Sequence, residues 1–525
     1  MIKIENLKFA PGYVENDVLN LVSKTLKCKL ADIESYVILK KSIDARKKPD
    51  VKIVLTLAVK LKNKNHIAGF EDITPNFSGL EYENISNKLP TKFLRPVVVG
   101  FGPAGMFCAL SLAYMGLKPI VVEQGKCVED RTKDVLTFWE TGKINPFSNV
   151  QFGEGGAGTF SDGKLNTNLN NTYCKKVINE FVLMGAPKEI AYVNKPHIGS
   201  DNLKTVVKNI RQKIIQLGGT VLFNTQFVNY TAVSDNLRGV IVKNLQTNDT
   251  KIINTNHLIL AVGHSARQTF NTLFNNGLEI KQKPFAMGVR IEQSQSDINI
   301  SQYGSNNKLL PNADYKLAVH LSSGRSVFTF CMCPGGVVVN SASDEGEIVT
   351  NGMSYFARDK QNANSAVLVN VLPSDFKTDH PLGGVYFQQK YEKLAFNLTK
   401  SFYCPAQSVG EFLTGKKTPL KIEPSLKVKI CDIKKCLPNF VVKSLMEALP
   451  MFNNKLNNFA HPQNLLIAIE SRTSSPITIV RNEKLQTKIK GIFPCGEGAG
   501  YAGGIISSAV DGVKVAEQIY LENKS

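Results

Sequence analysis

The 525-residue chain has no apolar run approaching the ~20 residues that a helix needs to cross a bilayer, so a membrane span is not expected. Its first residues, Met-Ile-Lys-Ile-Glu-Asn, lack the basic-then-apolar shape of a secretory signal. The ten cysteines are scattered, not clustered, which argues against a disulfide framework and for a reducing, cytoplasmic setting. No set of four ligands with zinc-like spacing can be placed among them, so no metal site is expected. Internal repeats and low-complexity tracts are absent. Acidic side chains are scarce relative to basic ones, 44 against 63, leaving a formal charge of +19. Such an excess can serve nucleic acid, a membrane surface or an acidic substrate. The lysines are spread along the whole chain, however, and only Lys40-Lys41 to Arg46-Lys47-Lys48 forms a local cluster. Nucleic acid is therefore a possible partner but not the favoured one.

What the chain does have is glycine in informative places. Gly100-Phe-Gly-Pro-Ala-Gly105 follows a short apolar run, Val97-Val-Val99, and opens a helical stretch from Met106 to Gly116. A second apolar run, Ile120-Val-Val122, ends at Glu123. This is the start of a βαβ dinucleotide-binding unit. Gly100 permits the tight turn, Gly102 admits the pyrophosphate to the backbone, and Gly105 lets helix and strand pack closely. The helix N-terminus offers unpaired N–H groups to phosphate. Glu123 lies about 20 residues on, where a carboxylate accepts from ribose hydroxyls. Gly153-Glu-Gly-Gly-Ala-Gly158 has the same letters but no clear strand–helix unit around it.

Residues 1–90 read as a small α+β accessory domain, with a helix near Val18–Leu26 and strands near Ser35–Leu39 and Val51–Val59. A polar stretch with Pro75 and Pro90 places the boundary near residue 91. The nucleotide domain is expected to be discontinuous, over 91–283 and again over 462–525, with a mixed α+β substrate domain inserted at 284–461. Asp201 is the expected cap of a helix through Lys204–Ile215. Leu465–Ile469 and Gly491–Gly496 read as strands that return to the nucleotide domain, and a helix from Ser507 to Tyr520 closes the chain. The fold class is α/β, a Rossmann-type nucleotide domain of the two-dinucleotide flavoprotein kind.

Three features favour a tightly held flavin. Gly496-Glu-Gly-Ala-Gly-Tyr-Ala-Gly-Gly504 is a second glycine-rich junction between a strand and a helix, able to clamp a large cofactor. Leu260-Ala-Val-Gly263 has the form of a late strand and turn. The glycine-rich segment Gly153–Gly163 can lie against a pyrophosphate and a flavin ring through backbone N–H groups. Long blocks across about residues 95–505 then carry a resemblance: Val97–Gly105, Val150–Leu165, Lys195–Leu203, Gly263–Arg267, Pro284–Arg290, Phe330–Gly336, Glu470–Pro476 and Gly496–Gly504. In these the chain resembles the bacterial FAD-dependent dehydrogenases with a small N-terminal domain, most of them without an assigned substrate. The resemblance implies FAD, a split FAD domain and oxidoreductase chemistry. It implies no substrate.

The residues expected to hold FAD are Gly100, Gly102, Pro103, Ala104 and Gly105, with Glu123, Gln124 and Arg131 after the second strand. The glycine loop adds Gly155, Gly156, Gly158, Ser161, Asp162, Gly163 and Lys164. Phe227 and Val228, then Ala261, Val262, Gly263 and Arg267, follow. Gly496, Glu497, Gly503, Gly504 and Ile505 close the set. No second GxGxxG lies in βαβ context, so the electron donor is expected to visit transiently, NAD(P)H being the candidate, or to be another protein.

Flavin chemistry belongs to the cofactor, and the protein positions the substrate near N5. Cys331 and Cys333 read either as a redox pair facing the flavin or as small buried hydrophobes. Within Glu470-Ser-Arg472, Arg472 is a candidate to bind an anion and Glu470 to assist proton transfer. His197 and His264 are candidate acids or bases. Arg290 is expected to orient substrate or to pair with Glu292. The function these imply is hydride transfer between a small molecule and flavin. The alternatives are a flavoprotein acting on RNA through its basic N-terminal domain and a non-catalytic redox sensor.

Overall fold

Runs of three β-branched residues buried on both faces are the mark of a parallel sheet covered on both sides. Val97–Val99 is such a run, with all three residues inaccessible or nearly so. The computed structural model describes residues 1–63, 67–90, 92–167 and 171–524, so the expected boundary residue, 91, lies outside the described residues. In it Val97–Val99 is the middle strand of a five-stranded parallel sheet. Ile120–Val122 and Thr220–Leu222 extend it on one side, and Leu258–Leu260 and Ile492–Pro494 on the other.

Helix Pro103–Tyr114 connects the first two of these strands. Its proline sits at the first position, where the missing N–H costs nothing. Residues Ala104 to Ala113 are all buried, because the helix is enclosed between the sheet and the C-terminal helix Ile505–Lys524. The helices approach closely enough that a Cβ on Gly512 would strike the Ala104 carbonyl. On the other face lies an antiparallel sheet of Thr225–Val233, Asn236–Asn244 and Thr250–Asn254.

The inserted part is built on a seven-stranded sheet. Its order is Ala318–His320, Ser326–Cys333, Asn362–Val371, Phe285–Ser294, Leu465–Glu470, Cys404–Ser408 and Val428–Ile430. All neighbours are antiparallel except the last pair. Leu465–Glu470 therefore does not return to the nucleotide domain, as its apolar run suggested. It pairs with Phe285–Ser294 and Cys404–Ser408. A fully buried apolar strand looks the same in either sheet, and only the pairing separates them. The chain rejoins the parallel sheet at Ile492–Pro494.

The N-terminal residues form a four-stranded sheet, Ile33–Asp44, Lys52–Leu61, Ile2–Phe9 and Glu71–Asp72, with helix Glu15–Leu26 packed on it. Its apolar face shares one continuous core with the seven-stranded sheet. In the basic cluster, Arg46 pairs with Asp44 at 2.6 Å and Lys48 Nζ donates to the Ser301 carbonyl at 2.6 Å. Lys41 exchanges main-chain hydrogen bonds with Tyr192 and Asn194.

Two local expectations are corrected. Helix Ser200–Gln216 begins one residue before Asp201, and the Asp201 carboxylate accepts from the Phe356 N–H at 2.9 Å instead of capping its own helix. The last helix starts at Ile505, two residues before Ser507. No helix among the described residues is long and apolar enough to cross a membrane.

A Cβ on Gly105 would run into the Gly100 carbonyl, at the point where helix and strand approach most closely. Gly105→Ala should cost about 1–3 kcal/mol through this overpacking, measured as a fall in the denaturant midpoint at unchanged slope.

Candidate functional site

The glycine turn opens the site. Gly100 has φ +95°, and a side chain there would meet the Ala261 carbonyl. Gly102 faces Gly156 backbone to backbone: a Cβ on Gly156 would lie 2.9 Å from the Gly102 Cα. The two glycines let the turn and the glycine loop approach closely beside the N-terminus of helix Pro103–Tyr114, whose free N–H groups suit a phosphate.

Glu123, at the end of the second strand, is buried. Its Oε2 accepts from the Phe101 N–H at 2.8 Å, and its Oε1 from Gly125 at 2.8 Å and Gly153 at 3.0 Å. The carboxylate thus ties both strand turns to the glycine loop. It still lines the cavity and keeps lone pairs for a further donor such as a ribose hydroxyl.

Arg131 does not reach the cavity, contrary to the pyrophosphate contact expected of it. It is fully buried, and its guanidinium donates to the carbonyls of Asn149 (2.8 Å), Val150 (2.8 Å), Gly153 (3.2 Å) and Glu154 (2.6 Å). Burial lowers it to about 10, which leaves it charged at neutral pH. It holds the glycine loop closed from behind.

These elements enclose a cavity of about 370 Å³. Of the expected residues, Gly100, Gly102, Pro103, Ala104, Glu123, Gln124, Gly156, Gly158, Ser161, Lys164, Phe227, Ala261, Val262, Gly263, Glu497, Gly503, Gly504 and Ile505 line it. So do Cys331, Glu470 and Arg472 from the inserted part, along with His264. Gly105, Gly155, Gly163 and Gly496 shape the backbone behind the wall without lining it. Val228 is half exposed and sits at a break in register between Phe227 and Asn229, so it points away from the cavity while Phe227 faces it. Gln151, within the Val150–Leu165 block, also lines the cavity, as do Asn166, Thr350 and Asn351, none of which belongs to a motif that would have marked it.

Several charged candidates are engaged elsewhere. Asp162 is buried behind the wall, bonded to Ser354 and to Arg358 at 2.6 and 3.1 Å, with Lys164 at 3.6 Å. Although burial opposes ionisation, the Lys164 and Arg358 charges hold this carboxyl well below the usual range. His197 is not on the cavity. It stacks on Phe356 at 5.3 Å, and burial lowers it to about 4, so it is neutral at physiological pH. His264 is likewise lowered to about 4 by burial.

Arg472 touches the cavity, but each of its three nitrogens is engaged: Glu392 at 2.7 and 3.1 Å, Glu347 at 3.1 Å and Ser343 at 2.5 Å. Arg267 is not at the cavity. It completes the same cluster by donating to Glu347 at 2.6 Å and Glu392 at 2.7 Å. The two arginines keep Glu392 ionised against its burial, while burial and the neighbouring Glu392 charge push Glu347 up. Glu470 is held by both oxygens, 2.8 Å each, on Arg290. Arg290 therefore pairs with Glu470, and Glu292 accepts from Asn362 and Ser425. A carboxylate clamped in this way is a poor proton donor, and an arginine so occupied is a poor anion binder.

Among the described residues that line the cavity, Lys164 Nζ, Thr350 Oγ1 and His264 Nε2 are buried without a hydrogen-bond partner. Glu497 joins them, its carboxyl raised to about 7 by burial. The glycine cradle and helix N-terminus suit a pyrophosphate. The unpartnered groups suit the carbonyl and nitrogen edge of a flavin, which presents hydrogen-bonding atoms along one side.

Residues 284–473 match the family described as FAD-dependent protein, C-terminal domain-like, and residues 1–60 match a domain of unknown function. An uncharacterized protein of Clostridium beijerinckii is 45% identical over 529 residues, 99% of this chain and 98% of that one. Among solved structures, the glycerol-3-phosphate dehydrogenase from Bacillus halodurans complexed with FAD is 12% identical, with a TM-score of 0.34, over 83% of this chain and 65% of that one. A flavoprotein/dehydrogenase from Cytophaga hutchinsonii is 11% identical, with a TM-score of 0.37, over 82% and 79%.

Arg131→Ala should destabilise the protein by about 3 kcal/mol, because it leaves buried loop carbonyls unpaired. It should also weaken cofactor retention, read as flavin lost on gel filtration. Glu497 supplies a pH test. Its folded-state value lies above its unfolded value of 4.5, so the native state binds the extra proton. Its stabilising contribution is complete below about 4.5 and is lost as pH rises through about 7. In protein stripped of cofactor, Glu497→Gln should flatten the melting temperature across that window relative to the parent.

Proposed function

Because the chain belongs to the family of FAD-dependent proteins, with FAD as its cofactor, we propose that it is an oxidoreductase that passes a hydride between a small molecule and flavin N5. The observation that carries this reading is one continuous cavity running from the glycine turn at Gly100 to the polar wall at Lys164, Cys331 and Glu470. The wall comes from different parts of the chain, as a site between a cofactor domain and a substrate domain requires.

Gly102, Gly156 and the first turn of helix Pro103–Tyr114 would hold the pyrophosphate, and Glu123 the ribose. Gly503, Gly504 and Ile505, with Lys164, would hold the ring. Bound flavin supplies two-electron chemistry. The protein's own residues orient and shield. The Arg267–Arg472–Glu347–Glu392 cluster locks the inserted part onto the nucleotide part. The Arg290–Glu470 pair fixes the cavity floor. Glu497 is the cavity carboxyl best suited to hold a proton near neutral pH.

No residues besides those of the FAD site form a second glycine fingerprint, which supports a donor that visits transiently, NAD(P)H or another protein. A reducing compartment, the cytoplasm, suits ten cysteines scattered along the chain.

The test is a visible absorption spectrum of the purified protein, followed by anaerobic titration with NADH and NADPH. Flavin bands that bleach with a nicotinamide identify a reductase drawing on that donor. Bands that persist point to reduction by the substrate or by a protein donor. A colourless protein that fails to take up added FAD overturns the reading.

A further inference from the structure

We propose that Cys331 and Cys333 form a redox-active dithiol on the wall of the flavin cavity, and that the substrate it serves is a disulfide. The proposal deepens the oxidoreductase reading and rests on it for the source of electrons.

The backbone supplies the first argument. Strand Ser326–Cys333 pairs regularly with Asn362–Val371 as far as Phe330↔Ala366, and the next pair is Cys333↔Asn364. Three steps on one strand match two on the other, so the strand carries a bulge. Cys331 is at its centre with φ +42°, a conformation that a side-chain-bearing residue adopts at a cost of about 1 kcal/mol or more. Bulges re-aim side chains and concentrate beside active sites. Here the bulge brings Cys331 to the cavity, partly exposed. Cys333 lies fully buried behind it, with its Sγ donating to the Cys331 carbonyl at 3.3 Å.

The charges supply the second. The Lys164 ammonium is buried on the same cavity with no hydrogen-bond partner, its nearest carboxylate being Asp162 at 3.6 Å. Arg290 Nη1 donates to the Cys331 carbonyl at 3.2 Å. The neighbouring Cys333 thiol, then the Lys164 and Arg290 charges, lower Cys331 against its burial and the Asp162 charge. Burial does the opposite to Cys108, Cys404 and Cys436, which have no such cations beside them. Cys331 is thus a partly exposed thiol among cations, the environment in which thiolates react.

The exchange balances as follows. The Cys331 thiolate attacks one sulfur of the substrate disulfide; a mixed disulfide forms and the other substrate sulfur leaves as a thiolate. That thiolate takes the Cys333 proton. Cys333 Sγ then attacks Cys331 Sγ, the intramolecular disulfide forms, and the second substrate sulfur leaves as a thiolate. The substrate has gained two electrons and one proton. One hydride equivalent, carried by reduced flavin, returns the pair to thiolate and thiol. A ring closed across a single residue, Met332, is strained and therefore readily reduced, which favours that return.

The experiment uses the holoprotein with 5,5′-dithiobis(2-nitrobenzoate) as the disulfide, followed by peptide mass mapping, with the flavin spectrum recorded on the same sample. Two thiolates should be released per chain from this site, leaving a Met332-containing peptide lighter by the two hydrogens lost. Reaction at Cys331 should be about tenfold or more faster than at the partly exposed Cys127 and Cys431. Cys333→Ser should stop at a trapped mixed disulfide on Cys331 with one thiolate released, and Cys331→Ser should not react at this site. Flavin-bound protein in which Cys331 reacts no faster than Cys127 overturns the dithiol and leaves the flavin reading intact. So does Cys333→Ser that still releases both thiolates. The expected exchange in protein that binds no flavin supports the dithiol and overturns the flavin reading.

Discussion

The site depends on a buried carboxylate accepting backbone hydrogen bonds. Glu123 receives N–H groups from Phe101, Gly125 and Gly153, which belong to three separate turns. A buried carboxylate without donors is expensive, and one with three charge-assisted bonds is strongly held. The arrangement makes the turns interdependent: the glycine fingerprint keeps its shape only while the distant loop at Gly153 is seated. Arg131 performs the matching task from the other side, giving its donors to the carbonyls of that loop. An acceptor and a donor thus fix a loop that has little side-chain packing of its own.

Buried ion pairs do the same between the larger parts. Arg267 comes from the nucleotide-binding part, Glu347 and Glu392 from the inserted part, and Arg472 from the segment just after the inserted part's strand Leu465–Glu470. Such clusters contribute little net stability because desolvation offsets attraction, but losing one member leaves an uncompensated buried charge. Their effect here is geometric. They set the wall of the cavity relative to the glycine turn, and so set where a substrate can meet the cofactor. The polar groups left facing the cavity are those the clusters do not use, chiefly Lys164, Thr350, His264 and Glu497.

Much of the cavity lining was legible from local spacing. Turn glycines and the C-terminal glycine segment act through their own backbone, so local spacing marks them. The charged candidates were less legible. Arg131, Arg267, Arg472, Glu470 and His197 are residue types that bind ligands, yet each is engaged by partners 18 or more residues away or turned from the cavity. Sequence shows that a charge exists but not which opposite charge will meet it.

The strand Leu465–Glu470 marks the same boundary. By itself the sequence determined that this segment is a buried strand, that Gly100–Gly105 opens a strand–turn–helix unit, and that segments on either side of the inserted part are buried strands of one kind, because composition and short-range periodicity govern these. Tertiary structure alone decided which sheet the strand joins and which arginines are neutralised. It alone decided that a bulge at Cys331 turns a thiol toward the cavity. Pairing register and long-range charge contacts are set by partners that local sequence does not contain.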